Sequence, residues 1–330
     1  MYGLASLCHE AGNGGNNGRR CPKHARTVFL PDLDSNRLPV VLAAFTLFEK
    51  TCSATHNLTI WYNNRKEVYM RKSLLLLFSV FVFTFPTVSG AAEEGKIGIV
   101  LLHGKQDKAP YEISSLTGKL KGAGYLVVTP EMPWSRNRIY DASYEEAMQE
   151  IDKAVDALKK DGARKILVGG LSLGGNATVG YASRRDNLMG IIVLAPGHFP
   201  ELQRSREAFA SSVARAKQMV ATGRGDTIDV FDDINMGRTF NSRATAKNYL
   251  SFFDPNGPAV VPTNAAGIRS PIPILWAVGV RDPLTRPSSY AFDKAPSHPR
   301  SKYITVDAGH LNTPTVAADQ VLTWLQSLDP

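Results

Sequence analysis

From Lys96 onward, short apolar segments alternate with amphipathic ones, and no other feature constrains the fold of this chain as much. The short segments are uniformly apolar, which is typical of strands covered on both faces. Strands are predicted at 97–102, 125–129, 165–169, 190–196, 272–279 and 303–306. Helical spacing of apolar residues predicts helices at about 111–123, 144–160 and 315–328. The alternation predicts an α/β fold with a mainly parallel sheet and helices on both faces.

One connection is much longer than a crossover between parallel strands requires. About 75 residues separate the strand that ends near Pro196 from the strand that begins near Ile272. Two segments within it have helical spacing, one from Leu202 to Val220 and one from Ala246 to Phe253. We interpret the insertion, about 198–265, as a small helical cap over the sheet's C-terminal edge. The alternative is an ordinary pair of core helices with a long surface loop.

The first 92 residues differ from the rest. Met70-Arg71-Lys72 is followed by an apolar run from Leu74 to Phe85 and by the small-residue stretch 88–92, which is the order of a signal peptide. Because a signal peptide works at the start of a chain, residues 1–69 are interpreted as a disordered extension from an over-extended reading of the start site. Residues 70–92 are then the signal peptide, and 93–330 form one exported domain, periplasmic or secreted, after cleavage near Ala91–Glu93. The alternative is a true N-terminal domain followed by a short membrane anchor, although the run is shorter than the roughly 20 residues of a stable span.

Charge and cysteine content exclude some classes of function. The chain has a net charge of +8, but residues 1–92 hold ten basic and five acidic residues, so most of the excess lies outside the predicted domain. A mild remaining excess does not favour a nucleic-acid partner, which needs a clustered basic face. Cys8, Cys21 and Cys52 all precede residue 93, so the domain contains no disulfide. Neither a metal nor an organic cofactor is predicted.

A serine nucleophile is predicted at Ser172. The stretch Gly170-Leu171-Ser172-Leu173-Gly174 lies between the predicted strand 165–169 and the small residues 175–182, which have a helical arrangement. In a G-x-S-x-G turn from strand to helix, the serine has a strained backbone and the flanking residues must be small, since the helix approaches the strand closely. A larger residue at Gly170 or Gly174 is therefore expected to clash.

A serine hydroxyl is a poor nucleophile at neutral pH and needs a base, which a third group usually orients. His310 follows the predicted strand 303–306, at the edge of an open α/β sheet where catalytic groups collect. His298 lies in a polar loop, and His198 is interpreted as a substrate-side or structural residue. Asp282 follows the strand 272–279 and is the predicted orienting acid, although aspartate before proline is also favoured in turns. Asp307 is the competing acid.

The order Ser172, Asp282, His310, each after a predicted parallel strand, resembles the α/β-hydrolase family over about residues 96–328. The resemblance implies an α/β-hydrolase fold with a mostly parallel eight-stranded sheet, and commonly a helical cap after the sixth strand. It also implies an oxyanion hole formed by the backbone N–H groups of Leu173 and of Lys105, which follows His103-Gly104. Lys105 is a departure, since many members have an apolar residue there.

Together these features predict a serine hydrolase that cleaves a small-molecule carboxylic ester or thioester through an acyl-enzyme intermediate. Ser172 is the nucleophile, His310 the base and Asp282 the orienting acid. His198 and Trp134 are predicted to bind substrate. An amidase or peptidase with the same triad, and a non-catalytic binding protein on the same scaffold, are the alternatives, because a fold does not fix a function. The oligomeric state is not predicted.

Overall fold

The structure is a computed structural model that describes residues 95–328. The predicted extension (1–69) and signal peptide (70–92) lie outside the described residues and stay predictions. Within 95–328, no helix combines the length and apolarity that crossing a membrane requires.

The described residues form a six-stranded sheet, a separate two-stranded hairpin and helices on both faces of the sheet. The strands are β1 (Lys96–Leu102), β2 (Leu126–Val128), β3 (Ala163–Ser172), β4 (Gly190–Pro196), β5 (Ile228–Asn235), β6 (Arg238–Thr245), β7 (Ile274–Gly279) and β8 (Lys302–Val306). The helices are α1 (Ser114–Gly122), α2 (Tyr144–Lys160), α3 (Leu173–Ala182), α4 (Gln203–Ala221), α5 (Ala246–Phe253), α6 (Val261–Ala266), α7 (Thr313–Val316) and α8 (Ala318–Leu328). A 3₁₀ turn, Tyr111–Ile113, leads into α1.

The sheet confirms the predicted α/β class. Its strands are all parallel, in the order β2-β1-β3-β4-β7-β8. The expected count of eight is corrected to six within the described part of the chain, because β5 and β6 pair with each other and not with the sheet. Alternate side chains of β1 lie in two different hydrophobic clusters. Val100 and Leu102 pack in one cluster with residues of α2, whereas Ile99 and Leu101 pack in the other with residues of α1 and α8. Both faces of the sheet are therefore covered.

Local sequence explains why α2 has the predicted bounds. The Ser143 side chain accepts a hydrogen bond from the Glu146 amide, and the Glu146 side chain accepts one from the Ser143 amide. This capping box satisfies amide groups that the first helical turn leaves without partners. Acidic residues in the first turn, and Lys159 and Lys160 in the last, complement the helix dipole.

The insertion between β4 and β7 is not purely helical, which corrects the prediction of a helical cap. Its two predicted helices are present as α4 and α5, but the antiparallel β5–β6 hairpin lies between them. The hairpin turns at Met236 and Gly237, which both have positive φ, 48° and 76°. That conformation suits a tight two-residue turn. The usual sequence signal for such a turn is Asn or Asp before the glycine, and this chain has methionine there, so the hairpin was not predicted.

Candidate active site

The order of the strands creates an open crevice at one place in the sheet. From β1 the chain moves to β2 on one side, and then crosses back to β3 on the other side of β1. Connections leave β1 and β3 in opposite directions, so the C-terminal ends of these strands are not covered by a shared crossover. His103-Gly104-Lys105 follows β1, and Ser172 ends β3. The candidate nucleophile and the candidate oxyanion loop therefore meet at this crevice.

Ser172 occupies a strained turn between β3 and α3. Its φ of 57° and ψ of −119° are rare for any residue with a side chain. A Cβ on Gly174 would lie 2.6 Å from the carbonyl oxygens of Leu102 and His103, and one on Gly170 would lie 2.5 Å from the Gly174 carbonyl. Both glycines are therefore required by close backbone contacts, as expected. Serine is a favoured helix cap, yet the Ser172 hydroxyl does not cap α3; it lines a cleft instead.

Asp282 and His310 are joined by a buried hydrogen bond. His310 Nδ1 donates to Asp282 Oδ2 over 2.7 Å, and the Leu284 amide donates to the other carboxylate oxygen over 2.8 Å. Asp282 is only 6% exposed and His310 only 4%, so the carboxylate is held with little competition from water. A carboxylate at Nδ1 fixes the proton on that nitrogen and leaves Nε2 as a potential proton acceptor.

Ser172 and His310 border the same small space. A Cβ on Gly197 would stand 2.8 Å from Ser172 Oγ and 3.5 Å from His310 Cε1, so only glycine leaves this space open. The structure thus brings Ser172, Asp282 and His310 together. Asp307 lies elsewhere, because its exposed carboxylate pairs with the Arg281 guanidinium at 2.6 Å.

The loop after β1 is held in shape by His103. Its Nδ1 donates to the Gly104 carbonyl oxygen at 2.7 Å, and its Nε2 accepts from the Met132 amide at 3.0 Å. Burial holds the pKa of His103 below its ordinary value, so the ring stays neutral and can accept at one nitrogen. Trp134 Nε1 donates to the His103 carbonyl oxygen, and the Trp134 carbonyl oxygen accepts from the Gln106 amide.

Trp134 therefore lies behind the loop, and this corrects its predicted place in the substrate site. Its indole is 1% exposed and packs against His103 and Phe252, with ring centroids 5.9 Å and 6.3 Å away. An aromatic residue in a loop after a strand can turn inward or outward, and packing against a buried histidine decides the outcome here.

The predicted oxyanion hole consists of two backbone amides, those of Lys105 and Leu173. The Lys105 amide has no backbone hydrogen-bond acceptor among residues 95–328. Leu173 is the first residue of α3, so its amide has no acceptor one turn earlier in its own helix. A Cβ on Gly104, directly before Lys105, would lie 3.4 Å from Ser172 Cβ. This arrangement could accommodate a developing oxyanion.

The Lys105 side chain turns into a buried ion pair that the sequence did not reveal. Its Nζ donates to Asp233 Oδ1 at 2.6 Å and to the Ile234 carbonyl oxygen at 3.1 Å, both on β5. The Asn235 side chain donates to the Lys105 carbonyl oxygen at 3.3 Å. The paired side chains are 5% and 0% exposed. The hairpin thus holds the candidate oxyanion loop, through residues 128 positions apart in sequence.

A cleft of about 300 Å³ opens over Ser172 and His310. It is bordered by the loop after β4, the first turn of α4, the hairpin tip and the loop after β7. His198 lines it and donates from Nε2 to the Phe252 carbonyl oxygen at 2.7 Å. Burial, and then the Lys105 charge, hold the pKa of His198 well below its ordinary value, so this ring is neutral. Within 95–328, no three His, Cys, Asp or Glu side chains are grouped to hold a metal ion.

Glu112, in the 3₁₀ turn before α1, is a further carboxyl group at the site that sequence reasoning missed. A Cβ on Gly104 would lie 3.2 Å from Glu112 Oε2, on the same side as Ser172. The Glu112 amide donates to the buried Asp107 carboxylate, which fixes the turn. Burial, reinforced by Asp107, raises the pKa of Glu112 to about 7, although nearby His310 and Arg136 act to lower it. Its place at the start of an amphipathic helix carried no signal of this environment.

Comparison with known proteins identifies the fold. No family model matches the chain, and no curated protein matches it. Among solved structures, one from a study of the metagenome-derived lipolytic enzymes LipS and LipT is 16% identical, with a TM-score of 0.51, covering 71% of this chain and 95% of that one. The complex of DcsB with its substrate analogue is 12% identical, with a TM-score of 0.54 and coverages of 71% and 92%. Est1E from Butyrivibrio proteoclasticus is 16% identical, with a TM-score of 0.47 and coverages of 72% and 90%. The described part of the chain has the α/β-hydrolase fold.

Proposed function

We propose that the protein is a serine hydrolase that cleaves a carboxylic ester or thioester through an acyl-enzyme intermediate. The observation that carries the proposal is the buried Asp282–His310 hydrogen bond beside Ser172, whose side chain lines the cleft from a strained elbow. The strained backbone of Ser172 costs folding free energy. A catalytic role explains why it is retained, because this conformation holds the hydroxyl at the crevice where His310 lies. Export of residues 93–330 is part of the same proposal.

In the proposed reaction, Ser172 Oγ attacks the carbonyl carbon while His310 Nε2 accepts its proton. The Asp282 carboxylate keeps the other ring proton on Nδ1 and stabilises the imidazolium that forms. The negative oxygen of the tetrahedral intermediate accepts hydrogen bonds from the Lys105 and Leu173 amides, and losing one such donor typically raises the barrier by roughly 3–4 kcal/mol. The alcohol or thiol leaves with the proton from His310. Water, deprotonated by the same nitrogen, then releases the acid and restores Ser172.

The comparisons support an ester substrate only through the fold they share with this chain. LipS and LipT are described as lipolytic enzymes, and this favours esters over amides as the first substrates to test. A peptidase would use the same triad, so the leaving group must be varied in the experiment.

The test combines 4-nitrophenyl ester turnover with labelling by a small fluorophosphonate. We expect Ser172→Ala to abolish both, His310→Ala to abolish turnover, and Asp282→Asn to lower kcat by about 10³–10⁴, since the wrong imidazole tautomer is favoured. Asp307→Asn is the matched control and should behave like the wild type, because Asp307 pairs with Arg281 at the surface.

Three outcomes would contradict the proposal. Turnover by Ser172→Ala would exclude the nucleophile, and loss of activity in Asp307→Asn alone would exclude Asp282 as the acid. Labelling at Ser172 with hydrolysis of anilides but not of esters would assign an amidase. A wild-type protein that neither labels nor hydrolyses any substrate would be a binding protein on this scaffold.

A further inference from the structure

The cleft over Ser172 contains an excess of positive charge. The described residues that line it include three cationic side chains, Lys105, Arg204 and Arg286, but one carboxylate, Asp282. Asp282 is bonded to His310, and the Lys105 charge is balanced by Asp233. The other two cationic residues of the lining, Arg204 and Arg286, have no carboxylate partner within it.

Arg286 is held in place without an acidic partner. Its side chain is half-buried, its guanidinium carbon lies 5.7 Å from the centre of the Phe199 ring, and its Nη1 donates to the Thr285 carbonyl oxygen at 2.9 Å. Within residues 95–328 it forms no ion pair. A guanidinium has five N–H donors, so most are left for a ligand once the bond to Thr285 is made. Packing on the ring also restricts the side chain, which reduces the entropy lost when a ligand binds.

Arg204 lies in the first turn of α4 and also makes no ion pair in the described part of the chain. The nearest acidic residue along the helix, Glu207, instead accepts a hydrogen bond from Gln203 at 2.8 Å. The first helical turn contains no acidic residue. Arg204 and Arg286 thus approach the cleft from two different elements, and neither is neutralised locally.

We infer that the substrate is an ester that itself carries an anionic group, a carboxylate, and that Arg204 and Arg286 bind this group while Ser172 attacks the ester carbonyl. The inference rests on the proposed function and names its substrate class. An arginine fork matches a carboxylate with two parallel hydrogen bonds, so two forks orient the substrate as well as attract it. A simple alkyl ester would offer no anionic partner to either arginine.

The experiment compares charged esters with the same esters capped by a methyl group. In the acyl series, the substrates are mono-4-nitrophenyl esters of C4 to C6 diacids. Each is compared with the same 4-nitrophenyl ester after methylation of its free carboxylate. In the alcohol series, acetoxy acids of the same lengths are compared with their methyl esters. We expect kcat/KM to be at least about tenfold higher for the charged member in one series, and this ratio to fall in 0.5 M NaCl because screening weakens charge attraction.

Variants then assign the preference to the two arginines. Arg204→Gln and Arg286→Gln should each lower the charged-to-capped ratio about tenfold, mainly through KM, whereas Arg286→Lys should keep part of it. Arg206→Gln is the matched control, because Arg206 is exposed on the same helix but does not line the cleft. Fluorophosphonate labelling of each variant verifies that the site is folded.

The results separate this inference from the proposed function. A wild-type enzyme that labels at Ser172 and hydrolyses capped esters as well as charged ones in both series would overturn the inference and leave the function standing. A ratio unchanged in both glutamine variants, or lowered equally in Arg206→Gln, would also overturn it. A protein that neither labels nor hydrolyses any of these esters would overturn both.

Discussion

Glu112 and Asp282 are two carboxyl groups at the same site with opposite surroundings. Asp282 accepts hydrogen bonds from His310 and from the Leu284 amide. The Glu112 carboxyl group forms no hydrogen bond within the described residues. A partly buried carboxyl group without donors is disfavoured in its charged form. This explains why the pKa of Glu112 is raised, and why Glu112 is a poor substitute for Asp282 as an orienting anion.

Glu112→Gln should stabilise the protein at alkaline pH and not at acidic pH. The pKa of Glu112 is raised from 4.5 to about 7, so the native state holds its proton more tightly than the unfolded chain. The wild type therefore loses stability as pH rises from 4.5 through 7, and glutamine does not. After a discount for partial exposure, we expect the variant to be more stable by about 1–2 kcal/mol at pH 8.5 and equal at pH 4.5. Urea unfolding at both pH values measures this, and a difference independent of pH would contradict it.

The positions of Ser172, His310 and Asp282 could be predicted because each lies at or just beyond the C-terminal end of a strand. Parallel strands bring residues distant in sequence to one edge, so a motif and a strand pattern are sufficient to place them together. Asp233 and Glu112 could not be predicted in this way. Their surroundings depend on which loop packs on which, and neither is marked by a motif.

Among the elements, the β5–β6 hairpin and the loop after β1 form one unit. Asp233 is 0% exposed and, besides Lys105, accepts hydrogen bonds from Tyr140 at 2.9 Å and Ser242 at 3.3 Å. Charged groups lose solvation when buried, so the pair is retained only where further hydrogen bonds complete it. The Lys105–Asp233 pair therefore adds little net stability. Its main effect is to select the one arrangement in which the hairpin lies beside the candidate oxyanion loop.

Removing either Lys105 or Asp233 alone should lower the free energy of unfolding strongly, whereas removing both charges should lower it much less. Asp233→Asn leaves a buried ammonium without a counter-charge, and we expect a loss of about 3–5 kcal/mol in the free energy of unfolding. The double variant Lys105→Met, Asp233→Asn should lose less than the sum of the single variants. Asp307→Asn breaks an ion pair whose side chains are 64% and 77% exposed, and should change stability by less than about 1 kcal/mol. Equal losses in Asp233→Asn and Asp307→Asn would contradict the argument.

Sequence patterns predicted best those elements whose bounds are determined by residues within the element itself. Helix α2 has its own capping box and one apolar face, whereas β5 has neither clean alternation nor a uniform apolar run. Ile228 and Val230 on β5 are 59% and 43% exposed, while Asp233 is buried. Its residues are placed by the ion pair and by helix α4, which are tertiary contacts, so the strand pattern is absent.

At the scale of the molecule, the insertion shares one core with the sheet. Tyr249 stacks on Phe231 and on Phe253, with ring centroids 4.4 Å and 4.2 Å apart, and Phe253 meets Tyr140 edge-on at 5.4 Å. These rings lie in the same buried cluster as Val168 of β3. Tyr249 and Phe253 are 0% and 1% exposed and do not line the cleft. The insertion is therefore packed as part of the domain, and these two residues are core residues.

Phe253→Ala should accordingly destabilise the whole described domain and leave the charged-to-capped ester ratio unchanged. A buried aromatic truncated to alanine costs about 3–5 kcal/mol, and a shared core transmits this cost to every element that unfolds with it. Hydrogen exchange by mass spectrometry should show faster exchange by the same factor in peptides from α5 and from β3. Tyr111→Ala is the control, because Tyr111 is aromatic but 74% exposed. It should leave the exchange rates of both sets of peptides unchanged. Faster exchange confined to the insertion would show instead that it opens as a separate lid, since only an independent unit can lose stability without the sheet.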